Sequence, residues 1–341
     1  MFSNINLSGN IYKYIDRNLN SRSLSDTYRM IIYMERLLKY SIKKYPHNFP
    51  TIIQIQTINQ CNAACTICPY SSTKSNKIET MSDQLFENIV KEIANQNEFS
   101  FIHLYLQNEP LLDKNIFDKV KLIKRISNGK IATGLVTNGS LFTDEKIREL
   151  EESGNDILVF SLDAITKETY EKIRKGLNFD VVINNINKVL KTSYSSRVFV
   201  KFVVQKDNYH EVKNFKNYWK ERGVGVLLSN LSNRTGDLED YNDQVLLTQK
   251  IGGLEDIKKK LIKHVVKNCK DLLLNFNILT NGNVILCCND YSKKIVLGNV
   301  NENSVKEIWK SKKYNNIRRK ILSGNSKDIS VCNNCSIWNF E

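Results

Sequence analysis

The 341-residue sequence lacks the features of several protein classes. It has no run of about eighteen apolar residues, which excludes a membrane-spanning helix. Its first ten residues do not follow the order of a charged segment and then an apolar one, so no secretory signal is expected. Hydrophobic residues make up 41% and charged residues 25% of the chain, which excludes a mostly disordered or fibrous protein.

The sequence also lacks a long basic segment, although its net charge is +14. No basic run is longer than three residues, and lysines alternate with acidic residues and asparagines along the whole chain. A basic surface can bind nucleic acid or anionic lipid, but this dispersed charge favours an ordinary solvated surface. We therefore expect a cytoplasmic protein with no membrane partner and no nucleic-acid partner.

No cysteine lies between residues 68 and 269, so the eight cysteines form two groups. Without an export signal, disulfides are not expected, because the cytosol keeps thiols reduced. The thiols are instead predicted to be metal ligands or catalytic groups. The first group is Cys61, Cys65 and Cys68, and the second is Cys269, Cys287, Cys288, Cys332 and Cys335.

Strand-like and helix-like segments alternate from residue 51 to residue 230. Repeated alternation of this kind predicts an α/β fold with a parallel sheet, and six units predict a partial (β/α)6 barrel. Catalytic groups in such barrels lie at the carboxyl ends of the strands. The predicted strands are 51–58, 101–106, 130–136, 156–162, 197–205 and 225–229. The predicted helices are 82–94, 115–126, 143–152, 167–174, 179–190 and 209–222.

Three further segments flank this predicted 51–230 barrel. Residues 1–50 are predicted to be an N-terminal helical extension, and residues 231–268 a bridge containing a helix over 241–266. Residues 269–341 predict a small α+β domain, with strands at 273–279 and 284–287 joined by a turn, and helices at 304–309 and 315–322. Such a domain is too small for a large core, so a bound metal or cluster would contribute to its stability.

The first cysteine group has the pattern Cys-x3-Cys-x2-Cys and directly follows the first predicted strand. Three thiolates leave a four-ligand site one ligand short. Either a fourth ligand comes from elsewhere in the chain, or one position stays open for a substrate or cosubstrate.

This pattern, after the first strand of a partial barrel, resembles the radical S-adenosylmethionine (SAM) superfamily over about residues 51–230. The resemblance implies that the three cysteines hold a [4Fe–4S] cluster whose fourth iron is chelated by SAM. It also implies reductive cleavage of SAM to a 5′-deoxyadenosyl radical that abstracts hydrogen from a substrate. A flavodoxin- or ferredoxin-type electron donor is then expected.

Other positions carry the same resemblance. The segment Asn108–Pro110 resembles the family's Gly-Glu-Pro motif, which implies that its glutamate binds the SAM ammonium. The SAM-binding residues that the resemblance implies are Glu109, Asn138, Ser161, Asp163 and Arg174. Taken alone, Glu109 could instead be a solvated acid, Asn138 part of a plain turn, and Arg174 a surface arginine.

The second cysteine group can supply four thiolates, which suit either zinc or an auxiliary [4Fe–4S] cluster. Segments 281–290, 297–300 and 307–309 resemble the SPASM/twitch extension of radical SAM enzymes. This resemblance implies a single auxiliary cluster of the twitch kind, because no cysteine follows the last Cys-x-x-Cys. It favours Cys287 over Cys288, so the implied ligands are Cys269, Cys287, Cys332 and Cys335.

The sequence does not identify a catalytic acid or base, but it offers three candidates. Tyr105 shares the strand parity of Glu109 and is expected to point into the barrel. Lys201 interrupts an apolar strand, where a buried lysine needs a partner or a function. Arg234 lies in a polar loop after the sixth strand, at the rim where substrates bind.

These features predict a radical SAM oxidoreductase that modifies an amino sugar, a cyclitol or a nucleoside in a biosynthetic pathway. The alternative is an enzyme that modifies a ribosomally made peptide. The N-terminal fifty residues lack the strand-rich pattern of a peptide-leader recognition domain, which favours a small molecule. A rival of another class is a zinc-stabilised protein that binds nucleic acid.

Overall fold

A nine-stranded sheet organises the computed structural model, which describes residues 48–96, 100–246, 269–333 and 335–336. The predicted N-terminal extension up to residue 47 and residues 247–268 of the predicted bridge lie outside this part. The strands are β1 Ile52–Ile55, β2 Phe101–His103, β3 Ala132–Thr137, β4 Ile157–Ser161, β5 Val198–Val204, β6 Gly225–Asn230, β7 Asn275–Ile278, β8 Asn283–Ile285 and β9 Val296–Asn299.

The sheet order is β6-β5-β4-β3-β2-β1-β7-β8-β9. Strands β1 to β6 pair in parallel with their neighbours, which confirms the predicted six-unit parallel sheet. Alternate strand residues such as Ile53 and Ile102 are fully buried in the main hydrophobic core. Because strand side chains alternate between faces, Gln54 and His103, which are in register, face the opposite side, the barrel interior.

Helices connect these strands and bury their apolar sides. In the helix Asp83–Ala94 the buried residues recur every three or four positions, and the Ser82 hydroxyl caps its first turn by accepting from Leu85 N. The helices are α1 Tyr70–Thr73, α2 Asp83–Ala94, α3 Ile116–Ile126, α4 Asp144–Ser153, α5 Lys167–Ile173, α6 Phe179–Leu190, α7 Val212–Glu221, α8 Tyr241–Gln244, α9 Lys270–Leu274, α10 Val305–Lys310, α11 Lys312–Leu322 and α12 Ser330–Asn333.

The C-terminal segment continues the barrel sheet. Strand β7 pairs in parallel with β1, and Ile52 lies opposite Asn275. The predicted hairpin is confirmed, because β7 and β8 are antiparallel, and β9 adds a third strand that the sequence analysis did not predict. This sheet extension places the second cysteine group beside the β1 edge of the barrel.

Two predicted elements in the flanking segments are wrong in part. The predicted strand over 273–279 begins only at Asn275, because the preceding leucine-rich residues, which have high helix propensity, form the end of α9. The predicted helix from Tyr241 ends at Gln244, and Val245 has extended backbone dihedrals. Among the described residues, none of the helices has the length and hydrophobicity needed to span a bilayer.

Candidate active site

The first cysteine loop, residues 61–68, lies at the carboxyl end of β1 and is fixed by main-chain hydrogen bonds. Ala64 N donates to Lys175 O at 2.8 Å, and Thr66 N donates to Ile173 O at 2.9 Å. These bonds attach the loop to the end of α5. The backbone is therefore held in place independently of any bound group.

Two of the three thiols in this loop already form a hydrogen bond: Cys65 accepts one from Arg174, and Cys68 donates one to Tyr291. Arg174 Nη1 lies 3.7 Å from Cys65 Sγ, and the Tyr291 hydroxyl lies 3.4 Å from Cys68 Sγ. Burial raises the pKa of the third thiol, Cys61, to about 12. Hydrogen bonds to sulfur and partial burial are the surroundings that iron–sulfur thiolates require, so these residues fit a cluster.

Glu109 joins the ends of β2 and β3. Its carboxylate is only 2% exposed and accepts hydrogen bonds from Leu111 N (3.1 Å), the Thr137 hydroxyl (2.6 Å) and Asn138 N (2.8 Å). Burial raises its pKa even though all three bonds lower it. Oε2 accepts only one of the bonds, so this oxygen can accept another from a ligand.

Asn138 connects the loop after β3 to the first cysteine loop. Its side-chain Nδ2 donates to Asn62 Oδ1 at 2.8 Å, and Asn62 Nδ2 donates to the Ser140 hydroxyl at 2.9 Å. The adjacent Gly139 has φ +79°, and a Cβ there would lie 2.8 Å from the Phe160 ring. Only glycine fits this close turn, which gives the Asn-Gly pair a structural reason.

Asp163 and Arg174 form a buried ion pair beside Cys65. Asp163 has φ +66°, and its Oδ1 accepts a hydrogen bond from Val203 N at 2.6 Å. The charge of Arg174 is thus compensated within the protein, whereas its Nε is buried with no hydrogen-bond partner. Ser161, the last residue of β4, is half-buried near this pair.

The three candidate catalytic residues are all half-buried. Lys201 faces the barrel interior of β5, directly opposite Ser161 on β4, and burial together with the nearby Arg234 guanidinium lowers the pKa of its amine. Arg234 Nη1 donates to Asn289 Oδ1 at 2.6 Å. Tyr105 instead packs edge-on against His103, with ring centroids 5.3 Å apart.

The second cysteine group lies around β7, β8 and the C-terminal residues. Cys288 is half-buried, and its four companions are buried. Among the described residues, no three acidic, histidine or cysteine side chains converge as they would around one metal ion. A four-iron cluster instead binds each thiolate at a separate iron. Burial is the main cause that raises the pKa of Cys269 and Cys332, with smaller contributions from Cys332 on the first thiol and from Cys335 on the second. The pKa of Cys287 is raised most by its hydrogen bond with Cys288, then by burial, and to a smaller extent by Cys269, so the thiols of this group lie close to one another.

The segment 287–291 connects the two cysteine groups. Gln107 Nε2 donates to Cys288 O at 3.1 Å and to Asp290 O at 3.0 Å, which fixes the segment against the end of β2. Tyr291, at its end, reaches Cys68. Sequence analysis missed Tyr291, because 223 positions separate it from Cys68 and only the β1–β7 pairing brings the two together.

Comparison with known proteins identifies the class. The model of the radical SAM superfamily matches residues 55–218, and the model of the SPASM iron–sulfur cluster-binding domain matches residues 269–336. These matches and the barrel with its cysteine loop define an iron–sulfur enzyme. The chain belongs to the radical SAM superfamily and has a C-terminal SPASM domain.

Relatives and structures agree with this assignment. The S-adenosyl-L-methionine-dependent 2-deoxy-scyllo-inosamine dehydrogenase of Niallia circulans is 21% identical over 84% of this chain and 92% of that protein. The structure of BtrN with AdoMet and 2-DOIA has a TM-score of 0.57 at 20% identity, covering 84% of this chain and 93% of that one. Streptococcus suis SuiB bound to precursor peptide SuiA has a TM-score of 0.62 at 16% identity, covering 91% and 78%.

The predictions of a radical SAM oxidoreductase, of SAM with a [4Fe–4S] cluster, and of an auxiliary iron–sulfur site are thereby confirmed. The rival prediction of a zinc-stabilised nucleic-acid-binding protein has no support, because both parts of the chain match iron–sulfur families.

Proposed function

We propose that this radical SAM enzyme oxidises, or otherwise modifies, an amino sugar, a cyclitol or a nucleoside in a biosynthetic pathway. The observation that carries the proposal is the hydrogen bond between Cys68 and Tyr291, because Tyr291 ends the segment 287–291 that begins at a cysteine of the second group. A second redox site beside the first suits a net oxidation. The aminocyclitol dehydrogenase that aligns with 84% of the chain supports this substrate class.

Cys61, Cys65 and Cys68 would hold the SAM-binding cluster. With SAM bound there, one-electron reduction supplies the 5′-deoxyadenosyl group that removes a hydrogen atom from substrate. On the protein side, Glu109 Oε2 would accept from the SAM ammonium, because it accepts only one hydrogen bond within the protein. The other proposed SAM-binding residues are Asn138, Ser161, Asp163 and Arg174.

Asp163 limits which atoms of Arg174 could contact SAM. Because Asp163 compensates its charge, its unpartnered Nε is the group that remains for a SAM carboxylate. The pair also fixes the end of β4 against β5 through Val203 N. We therefore assign Asp163 and Arg174 to orienting SAM rather than to a simple charge contact.

Cys269, Cys287, Cys332 and Cys335 would hold one auxiliary cluster, which supplies an electron acceptor within the protein. Cys287 is favoured over Cys288, because it is buried and its Sγ already accepts a hydrogen bond from Asn289 N at 3.4 Å. Cys288 is half-buried. The enzyme would receive electrons from a flavodoxin- or ferredoxin-type protein in the cytoplasm.

Deuterium transfer tests the proposed substrate class. Reconstituted enzyme, SAM and a reductant are incubated anaerobically with perdeuterated sugars, cyclitols and nucleosides, and with deuterated peptides in parallel. We expect deuterium in 5′-deoxyadenosine and an oxidised product only with members of the first set. Deuterium arriving from peptides alone would contradict the proposal and identify a peptide-modifying enzyme.

A further inference from the structure

We propose that an anionic group of the substrate, a phosphate or a carboxylate, binds between Lys201 and Arg234 in the barrel. The inference rests on the proposed function for the existence of a small-molecule substrate in this space. It adds an anionic group to the proposed substrate. The anchor would hold the substrate between the two cysteine groups.

Lys201 is a cation without a partner. Its strand is otherwise apolar, and Val200 and Phe202 on either side of it are fully buried. Within the described part of the chain, its amine makes no hydrogen bond and no ion pair, and it is not fully enclosed either. A lysine placed here without compensation costs folding free energy, which a bound anion would offset.

Arg234 is the second cation, and the fold holds it in place. Its φ is +51° and that of Thr235 is +61°, so the loop after β6 makes a tight left-handed bend at this point. Asn289 Oδ1 accepts from Arg234 Nη1, and Asn289 O accepts from the Thr235 hydroxyl at 3.2 Å. Arg234 Nε is buried without a hydrogen-bond partner, so a donor remains available for a ligand.

The nearby carboxylates do not neutralise these two cations. Asp163 is the carboxylate that raises the pKa of Lys201. It is paired with Arg174, and it accepts a hydrogen bond from Val203 N. Asp290 accepts hydrogen bonds from the main-chain N–H groups of residues 294 and 295. Burial and the Arg234 guanidinium lower the pKa of the Lys201 amine, and an anion bound between the two side chains would favour the protonated form of that amine. The proposed substrate would lie in the barrel interior, which Lys201 faces.

The chemistry of the two side chains specifies the ligand. A guanidinium presents paired donors that match a carboxylate or phosphate edge, and an ammonium adds a point charge. Two cations that no carboxylate pairs with would repel a protonated amine. An amine on the substrate must therefore point away from this pair, and an anionic group must point toward it.

The competing explanation is that the cations only balance the thiolates, since Arg234 lies near Cys68, Cys287 and Cys288. A second competitor is the SAM carboxylate. Measuring ligand binding to the holoenzyme, with clusters and SAM in place, tests both competing explanations. If either competitor occupies the cations, no added anion will bind there.

The experiment measures binding of four probes to SAM-loaded holoenzyme by anaerobic calorimetry: glucose 6-phosphate, glucuronate, glucosamine and glucose. We expect one or both anions to bind at least about tenfold more tightly than glucose and glucosamine, which is the lower bound for a charge-assisted contact. The tighter anion distinguishes a phosphate from a carboxylate. Equal affinities, preference for glucosamine, or no binding by any probe would overturn the inference.

Matched variants localise the site. Lys201→Met and Arg234→Gln should each weaken anion binding about tenfold or more, whereas the exposed Lys206→Met and Arg222→Gln should not. Iron content and SAM affinity serve as folding controls. Unchanged anion affinity in both Lys201→Met and Arg234→Gln would overturn the proposal. Substrate-independent SAM cleavage, measured on the same samples, reports separately on the proposed function.

Discussion

At the scale of single residues, Glu109 illustrates how one side chain can stabilise two loops of the fold and also remain available to bind a ligand. Its place after β2 was predictable from the Asn-Glu-Pro segment and the strand pattern. Its hydrogen bonds with Thr137 and Asn138 were not, because those partners lie 28 and 29 positions away and meet Glu109 only in the folded sheet. The residue type follows from local sequence, whereas its partners follow from topology.

Replacing Glu109 by Gln should weaken SAM binding about ten- to a hundredfold, because a charge-assisted contact contributes roughly 1.5–3 kcal/mol. Gln retains the size of the side chain and an acceptor for the loop N–H groups. The measurement is the SAM dissociation constant of reconstituted protein, with the half-exposed Glu79→Gln as control. Unchanged SAM affinity in Glu109→Gln would mean that Glu109 only joins the loops.

Tyr291 is the residue that sequence reasoning missed, and its contact predicts an electronic effect. The Cys68 thiol donates to the Tyr291 hydroxyl at 3.4 Å. Once Cys68 is a thiolate ligand, the hydroxyl would donate to Sγ instead, and hydrogen bonds to ligand sulfur stabilise the more negative, reduced cluster. Tyr291→Phe should therefore shift the midpoint potential of the SAM-binding cluster to more negative values. The exposed Tyr209→Phe should leave it unchanged.

A redox titration followed by electron paramagnetic resonance checks this prediction. It separates a change in potential from a loss of cluster, because the signal amplitude reports how much cluster is present. An unshifted potential in Tyr291→Phe at full cluster content would show that the phenol has only a packing role.

At the scale of secondary structure elements, local patterns predict the barrel well and the C-terminal segment less well. The helix Asp83–Ala94 has a complete signal, with a serine cap and apolar residues three or four positions apart. The four-residue strand β9 has no such signal, because Gly298 and Asn299 make up half of it. Its position depends on pairing with β8, which local sequence does not encode.

The second cysteine group gives an element-scale prediction. Replacing Cys332 and Cys335 together by Ala should remove the auxiliary cluster and lower the free energy of unfolding, because cluster binding contributes to folding. SAM cleavage by the barrel should persist, while product formation falls. Iron content, 5′-deoxyadenosine and product are measured separately.

Cys288→Ala is the matched control for that double variant, because it removes the thiol that the structure leaves half-buried. It should retain the full iron content. Normal product yield after loss of the second cluster in the double variant would refute the electron-acceptor role and leave a structural one.

At the scale of the whole molecule, the parallel pairing of β7 with β1 decides the architecture. A small α+β domain over residues 269–341 was predicted, because the sequence changes character there. In the structure the strands of this segment continue the barrel sheet, so that one sheet has nine strands. A pairing between residues more than two hundred positions apart leaves no local pattern, so the contact between Cys68 and Tyr291 could not be predicted.

The central claim is that the first cysteine loop holds a SAM-cleaving cluster and the second group holds another. The most direct test is iron, sulfide and 5′-deoxyadenosine analysis of the anaerobically reconstituted protein and of a variant with Cys61, Cys65 and Cys68 all replaced by Ala. The native protein should contain about eight iron and about eight sulfide per chain. The variant should retain about half the iron and form no 5′-deoxyadenosine. Reductive SAM cleavage that persists in the variant would contradict the account.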